Sequence, residues 1–360
     1  VRNPFVAWVA LLGLWTAVAP AQEIVDRQLA IQAFKHTDYG LRYLRENQAE
    51  DGSWSGSVGV TALALRAFLE SYQGYNESDG AFITRPVGFL LAHANADGSI
   101  SEGWTNRIRD TALAVIALAA TKNPEHEDII RNARDFLAGA QANEDDGVSR
   151  DDPVYGAIAA GDVEPPSLPL QLLAIEALRA AELGLADPVW ERSSLFVGRL
   201  QNARATNDQQ WAGDDGGFID APGSAAAGRT GSTAVMTHTG LASLLYAGAG
   251  RGDPRVAAAW RWISDSYALD GPSSLPGAPG RFDDYVVFAK SMRAFGEVRL
   301  NGADGTQHNW RNDLITSVIS HYKPDGSFGD STAGPGPGEG GVRETALSVI
   351  ALNQVIRSLR

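Results

Sequence analysis

The chain has 360 residues, a formal net charge of −13 and no cysteine. Without a thiol it has no Cys-based zinc site, thioester or Cys nucleophile, and a chain this long can bury a large core without disulfides. Its acidity, with Arg and Lys scattered singly, leaves no electrostatic footprint for nucleic acid or anionic lipid.

Residues 1–21 stand apart from the rest. Arg2 is their sole charge, residues 5–14 are apolar, and Ala19-Pro20-Ala21 offers a cleavage site before Gln22. This composition predicts a cleavable secretory signal peptide and an exported protein, secreted or periplasmic. A retained anchor is the alternative, although the run is short against the roughly 20 residues that a span needs. No later stretch is apolar enough to cross a bilayer, so residues 22–360 are expected to form one soluble, monomeric domain.

From there one phrase returns six times, with a period near fifty residues: an aromatic–aliphatic pair, a Gln or Tyr, an Asp-Gly turn, then an Ala/Leu-rich run. The first copy reads Tyr43-Leu44, Gln48, Gly52, Trp54, then Thr61-Ala62-Leu63-Ala64-Leu65. The second has Phe89-Leu90, Asp97-Gly98 and a run from Thr111 to Leu118. The third has Phe136-Leu137, Gln141, Asp146-Gly147 and a run from Leu172 to Leu178. The fourth has Phe196-Val197, Gln201, Asp215-Gly216 and a run from Leu241 to Leu245. The fifth keeps Trp262-Ile263, Tyr267 and Asp270-Gly271, and the sixth Asp325-Gly326, Phe328 and a run from Thr345 to Leu352.

The half of each copy before the turn is amphipathic, which predicts a surface helix; the half after it is apolar nearly all round, which predicts an enclosed one. The aliphatic runs are free of Gly/Pro breaks over about ten residues or more, which favours helix over strand. The run at 346–355 has no polar cap after it, and an open solenoid needs one. The expected fold is therefore all-α: six hairpins closed into a single (α/α)6 toroid, with repeat six against repeat one. Three Gly- and Pro-rich connections, 214–232, 271–280 and 331–341, contain no phosphate-binding Gly/Lys pattern. They read either as linkers or as lids over one mouth of the ring.

Tyr43-Leu44-x3-Gln48-x3-Gly52-x-Trp54 resembles the QW motif of the squalene and oxidosqualene cyclases. The Thr-Ala-Leu-Ala runs look like the inner helices of that superfamily, which includes the protein prenyltransferase β subunits. The resemblance extends from about Tyr39 to Val355 and implies the toroid, but not an activity, because function lives in the site. Gln48, Gly52, Trp54, Gln141 and Gln201 are expected to be structural, the Gln amides satisfying backbone groups at helix ends while aromatics pack between hairpins.

In squalene-type cyclases an Asp-x-Asp-Asp motif before a Thr-Ala helix start initiates a carbocation cascade. The matching stretch is Arg107-Ile108-Arg109-Asp110-Thr111-Ala112. The resemblance puts Arg109 where the family's proton donor stands, and a guanidinium is no acid near neutral pH. The prenyltransferase zinc site and the complement-type thioester both require a cysteine that is missing. Aligning the aliphatic runs instead puts Val60, Asp110, Leu170, His238 and Glu344 in one slot at the inner-helix starts. Asp283 and Asp284 lie near it in repeat five, and Arg109 and Arg343 flank the acids. In a ring this slot would gather Asp110, His238 and Glu344 at one mouth. Acids there also complement the helix dipole, whereas His238 suits a neutral hydrogen-bonding imidazole. The spacing carries no metal signature, and neither metal nor cofactor is expected.

Two functions follow. One is a binding or scaffold protein that presents its cavity and loops to an unidentified ligand or protein partner. The other is a divergent enzyme on the same ring, either isoprenoid-type or a polysaccharide lyase or glycosidase. The latter would draw on Asp214-Asp215 or Asp283-Asp284 beside Trp211 and Tyr285. An aromatic, acidic cavity would mark the enzyme and an aliphatic one the binder.

Overall fold

The computed structural model describes residues 24–267, 269, 281–329 and 341–359. The expected signal peptide, the connection 271–280 and nearly all of 331–341 lie outside these residues, as does the Asp270-Gly271 turn of repeat five. The helices in chain order begin with α1 (Arg27–Glu46), α2 (Val58–Leu69), α3 (Ala81–Ala92), α4 (Arg107–Thr121), α5 (Glu127–Gly139), α6 (Leu168–Ala180) and α7 (Val189–Gly198). After α8 (Pro222–Ala226) come α9 (Ala234–Tyr246), α10 (Pro254–Asp265), α11 (Arg281–Phe295), α12 (Trp310–Ile319) and α13 (Val342–Arg357). A hairpin of two-residue strands, β1 (Leu300–Asn301) and β2 (Gln307–His308), precedes α12. None of the described helices is long and apolar enough to cross a membrane.

Outer and inner helices alternate as their patterns require. Every residue of α2 is buried, whereas α5 buries only Ala133 and Leu137, as a single apolar stripe dictates. The inner helices pack in sequence, α2 on α4, α4 on α6, α6 on α9, α9 on α11 and α11 on α13, and α13 then packs on α2. Each outer helix also leans on the inner helix of the preceding repeat: α3 on α2, α5 on α4, α10 on α9 and α12 on α11. By the same rule α1, the first helix, rests on α13, the last. Across this seam Asn353 Nδ2 donates to the Ala67 carbonyl at 3.2 Å, and the Asp26 amide donates to Asn312 Oδ1 at 3.0 Å.

A hydrogen bond repeated in five hairpins fixes the register of each inner helix. The Thr61, Thr111, Thr237 and Thr345 hydroxyls accept from the backbone N–H of Trp54, Ile100, Phe218 and Phe328, at 3.0, 2.9, 3.2 and 3.0 Å. In repeat three Gln171 Oε1 substitutes, accepting from the Ile158 amide at 2.8 Å. The residues preceding these acceptors are Val60, Asp110, Leu170, Met236 and Glu344. Met236, not His238, therefore shares the Asp110 position. The sequence alignment placed His238 there because it matched aliphatic runs, which slide by a residue or two without penalty.

The Gln amides tie repeats together. Gln48 Nε2 donates to the Gly52 and Phe82 carbonyls, both at 3.1 Å. Gln141 Nε2 does the same to Gly156 and Val189 at 3.1 Å, and Gln201 Nε2 to Gly216 and Arg255 at 2.9 and 2.8 Å. Each amide thus joins its own turn to the start of the next outer helix. In repeat three the turn glycine is Gly156 rather than Gly147. Gly156 has φ +86° and lies so close under the Arg192 carbonyl that a side chain could not fit, while Gly147 borders open space.

Candidate functional site

The inner helices surround a cavity of about 620 Å³, within the roughly 300–1,000 Å³ of ordinary ligand pockets. Its wall is built from helical spacing, because residues three, four and seven apart share a face. On α2 the stripe is Gly59/Val60, Leu63, Arg66; on α6 it is Pro169, Leu172/Leu173, Glu176; on α11 it is Asp283, Val286/Val287, Lys290. Asp110 and Leu113 of α4, Met236 and Thr239 of α9, and Arg343, Leu347 and Ile350 of α13 complete it. The cavity accordingly has a polar mouth at the helix starts, aliphatic walls one turn deeper, and a charged deep end two turns down. Among the described lining residues there is no aromatic side chain.

At the mouth, loops of one repeat cap the inner helix of the preceding repeat. Glu102 Oε1 accepts from the Val58 amide at the start of α2. Glu164 accepts from the Ile108 and Arg109 amides of α4 at 2.6 and 3.1 Å, and the Asp220 carbonyl accepts from the Leu168 amide of α6 at 2.6 Å. Acids at helix N-termini satisfy free donors and complement the dipole. Asp110 is buried among these caps, facing Gly59, whose missing side chain leaves room for its carboxyl group. Burial raises its pKa to about 7, with Glu102 and Glu164 adding to the rise and Arg109 opposing it.

Of the other sequence-predicted residues, Arg109, Asp283 and Arg343 line the cavity. Arg343 Nη2 holds both Asp283 oxygens at 2.7 and 2.9 Å. His238, Glu344 and Asp284 are not in the lining. His238 is buried between α9 and α11, with Nδ1 2.7 Å from the Ser291 hydroxyl and its ring edge-on to Phe288; burial lowers its pKa to about 3. Glu344 is half-buried and its charge acts on Tyr43 of α1. Asp110, His238 and Glu344 thus do not meet, and no group of three or more acidic or His side chains suited to a metal occurs among the described residues. The acids of the two candidate pairs have partners of their own: Asp215 Oδ1 accepts from the Gly217 amide and the Ser232 hydroxyl at 2.8 and 2.7 Å, and Asp283 pairs with Arg343 within the lining.

Sequence reasoning missed the acids capping the helices, Glu102 and Glu164, and the deep-end ions. Arg66 Nε donates to Glu70 at 2.9 Å and Nη2 to Glu176 at 2.6 Å, and Lys290 Nζ donates to Glu176 at 2.5 Å. The Glu176 pKa falls to about 2: burial opposes ionisation, but Arg66 and Lys290 outweigh it. One signal was available, since Arg66, Glu176 and Lys290 interrupt otherwise apolar inner runs, and charged groups buried there must be paired.

No family model matches the chain. It is 32% identical to lanosterol synthase of Homo sapiens in an alignment of 124 residues that covers 29% of this chain and 17% of that enzyme. A type II terpene cyclase from Scytonema, solved without ligand, matches over 92% of this chain and 99% of its own, with a TM-score of 0.53 and 13% identity. The protein therefore has a terpenoid-cyclase fold of the squalene-cyclase type, and at these identities the likeness to the solved enzyme concerns the fold alone.

Proposed function

We propose that the six hairpins form an (α/α)6 toroid whose cavity binds an aliphatic ligand without cyclising it. The aliphatic wall, free of aromatic side chains among the described residues, carries this reading. A carbocation is stabilised by aromatic faces; here it would meet Leu, Val and Ile, with Arg66 and Lys290 at the deep end. Arg109, exposed at the mouth, is no proton donor.

A second reading is favoured by one observation, the protonatable Asp110 in the cavity lining. An acid with a pKa near 7 is suited to proton transfer with a heteroatom near neutral pH and is a weak donor to an alkene. It fits an enzyme of different chemistry better than a hydrocarbon cyclase.

The test is a Nile red displacement titration with undecane, run beside product analysis after incubation with squalene, oxidosqualene and geranylgeranyl diphosphate. We expect saturable displacement, lost in a Leu172→Trp, Leu347→Trp variant that fills the cavity, and no cyclised product. Undecane binding that survives filling, or cyclised products that disappear with Asp110→Asn, would overturn the proposal.

A further inference from the structure

The deep end of the cavity holds ions that an apolar ligand alone does not require. Arg66 and Lys290 are 4% and 6% exposed, and the Glu70 and Glu176 that pair with them are nearly as enclosed. Removing such ions from water costs several kcal/mol each, so a cavity meant only for hydrocarbon would be simpler without them. They also leave donors unused. Lys290 carries three N–H donors, of which the Glu176 bond takes one. Arg66 binds acceptors through Nε and Nη2, and no described residue accepts from its Nη1. Both side chains line the cavity, directly below Leu63 and Val286/Val287.

We propose that this deep end is a head-group subsite that takes a neutral oxygen acceptor, a ketone or ester carbonyl, at the end of an aliphatic ligand. The claim rests on the aliphatic-binding reading above and names the ligand class. The choice of a neutral group follows from charge. The buried set is balanced, Arg66 and Lys290 against Glu70 and Glu176, and Arg357, 3.6 Å from Glu70, is exposed to solvent. A carboxylate would add an uncompensated buried charge, which is costly. A carbonyl accepts the unused N–H groups and adds none. The ligand would lie with its chain along Leu63, Leu113, Leu172 and Leu347 and its oxygen at Lys290.

The experiment compares three probes of equal length on the full protein: methyl nonyl ketone, undecane and undecanoic acid, each by Nile red displacement. A hydrogen bond from a charged donor is worth about tenfold in affinity or more, so the ketone should bind at least that much tighter than the alkane and tighter than the acid. In Lys290→Met, which keeps the side-chain length, the ketone should fall to the affinity of the alkane. Because that variant leaves Glu176 with Arg66 alone and can lose stability, the infrared carbonyl stretch of isotopically labelled ketone is also read on the unaltered protein. It should move to lower frequency on binding. Equal binding of ketone and alkane, an unshifted carbonyl, tightest binding of the acid, or a ketone preference retained in Lys290→Met would each overturn the subsite. If neither ketone nor alkane binds, the aliphatic-binding reading itself fails.

Discussion

Asp110 shows how a single position acquires its chemistry from distant chain. In sequence it is one acid in a helix's first turn, where the dipole would favour its ionised form. In the structure Glu164 and Glu102 already occupy that role on α4 and α2, and burial with their two charges pushes Asp110 the other way. The sign of the consequence is fixed by linkage. The unfolded carboxyl titrates near 3.8, the ordinary value for an aspartate, and the folded one near 7, so between these values the folded state binds more protons. Asp110 therefore withdraws stability as pH rises through that window, and the loss is complete above it. Asp110→Asn should raise the melting temperature at pH 8 and have little effect at pH 4. An equal change at both pH values would show that Asp110 is not held protonated. The neighbourhood is hidden in the sequence because Glu164 reaches Asp110 from 54 positions away, on the loop between α5 and α6, which carries no helical pattern.

At the level of the element, the repeat was readable where its parts are polar and invariant in role, and misread where they are apolar. The Gln slot, the turn glycines of four repeats and the alternation of outer and inner helices all followed from spacing. Repeat three departs from the spacing because its connection is longer: Asp146-Gly147 keeps the motif's letters, while Gly156 carries the close approach to α7. His238 was misplaced for a related reason: its repeat's register is set by the Thr237 hydroxyl, and the adjacent aliphatic letters fit several alignments. Lys290 and Glu176 are not legible in the sequence because single charges in apolar runs resemble surface positions until the inner helices enclose them. The Gln contacts make a graded prediction. Gln141 is fully buried and serves two carbonyls and Ser193, whereas Gln48 is half-buried and serves two carbonyls. Truncation that strands buried acceptors costs about 1–3 kcal/mol. Gln141→Ala should fall in that range by urea unfolding and Gln48→Ala below it, because water can reach the acceptors it leaves. The reverse order would remove the amides from their linking role.

For the whole molecule, the decisive feature is that the cycle of inner-helix contacts has no free end. In an open stack of repeats, stability is close to a sum over neighbours and terminal repeats fray first. Here α1 and α13, at opposite ends of the described chain, pack on each other, and Gly40 lies tight against α13: a Cβ there would sit 2.6 Å from Val349 Cγ2 and 3.3 Å from Thr345 Cγ2. Both neighbours are β-branched and buried, with few rotamers to escape into. Gly40→Val should therefore overpack the seam at a cost of about 1–3 kcal/mol, despite the removal of a helix glycine. Because the seam belongs to a closed cycle, the loss should be global. The variant should still unfold in one transition at lower urea, and deuterium exchange should speed up in α4 and α6 along with α1 and α13. An open arrangement predicts a different pattern, in which α1 and α13 exchange quickly in the unaltered protein and Gly40→Val leaves α4 and α6 untouched. That pattern would separate the two ends of the chain and, with them, the enclosure on which the cavity depends.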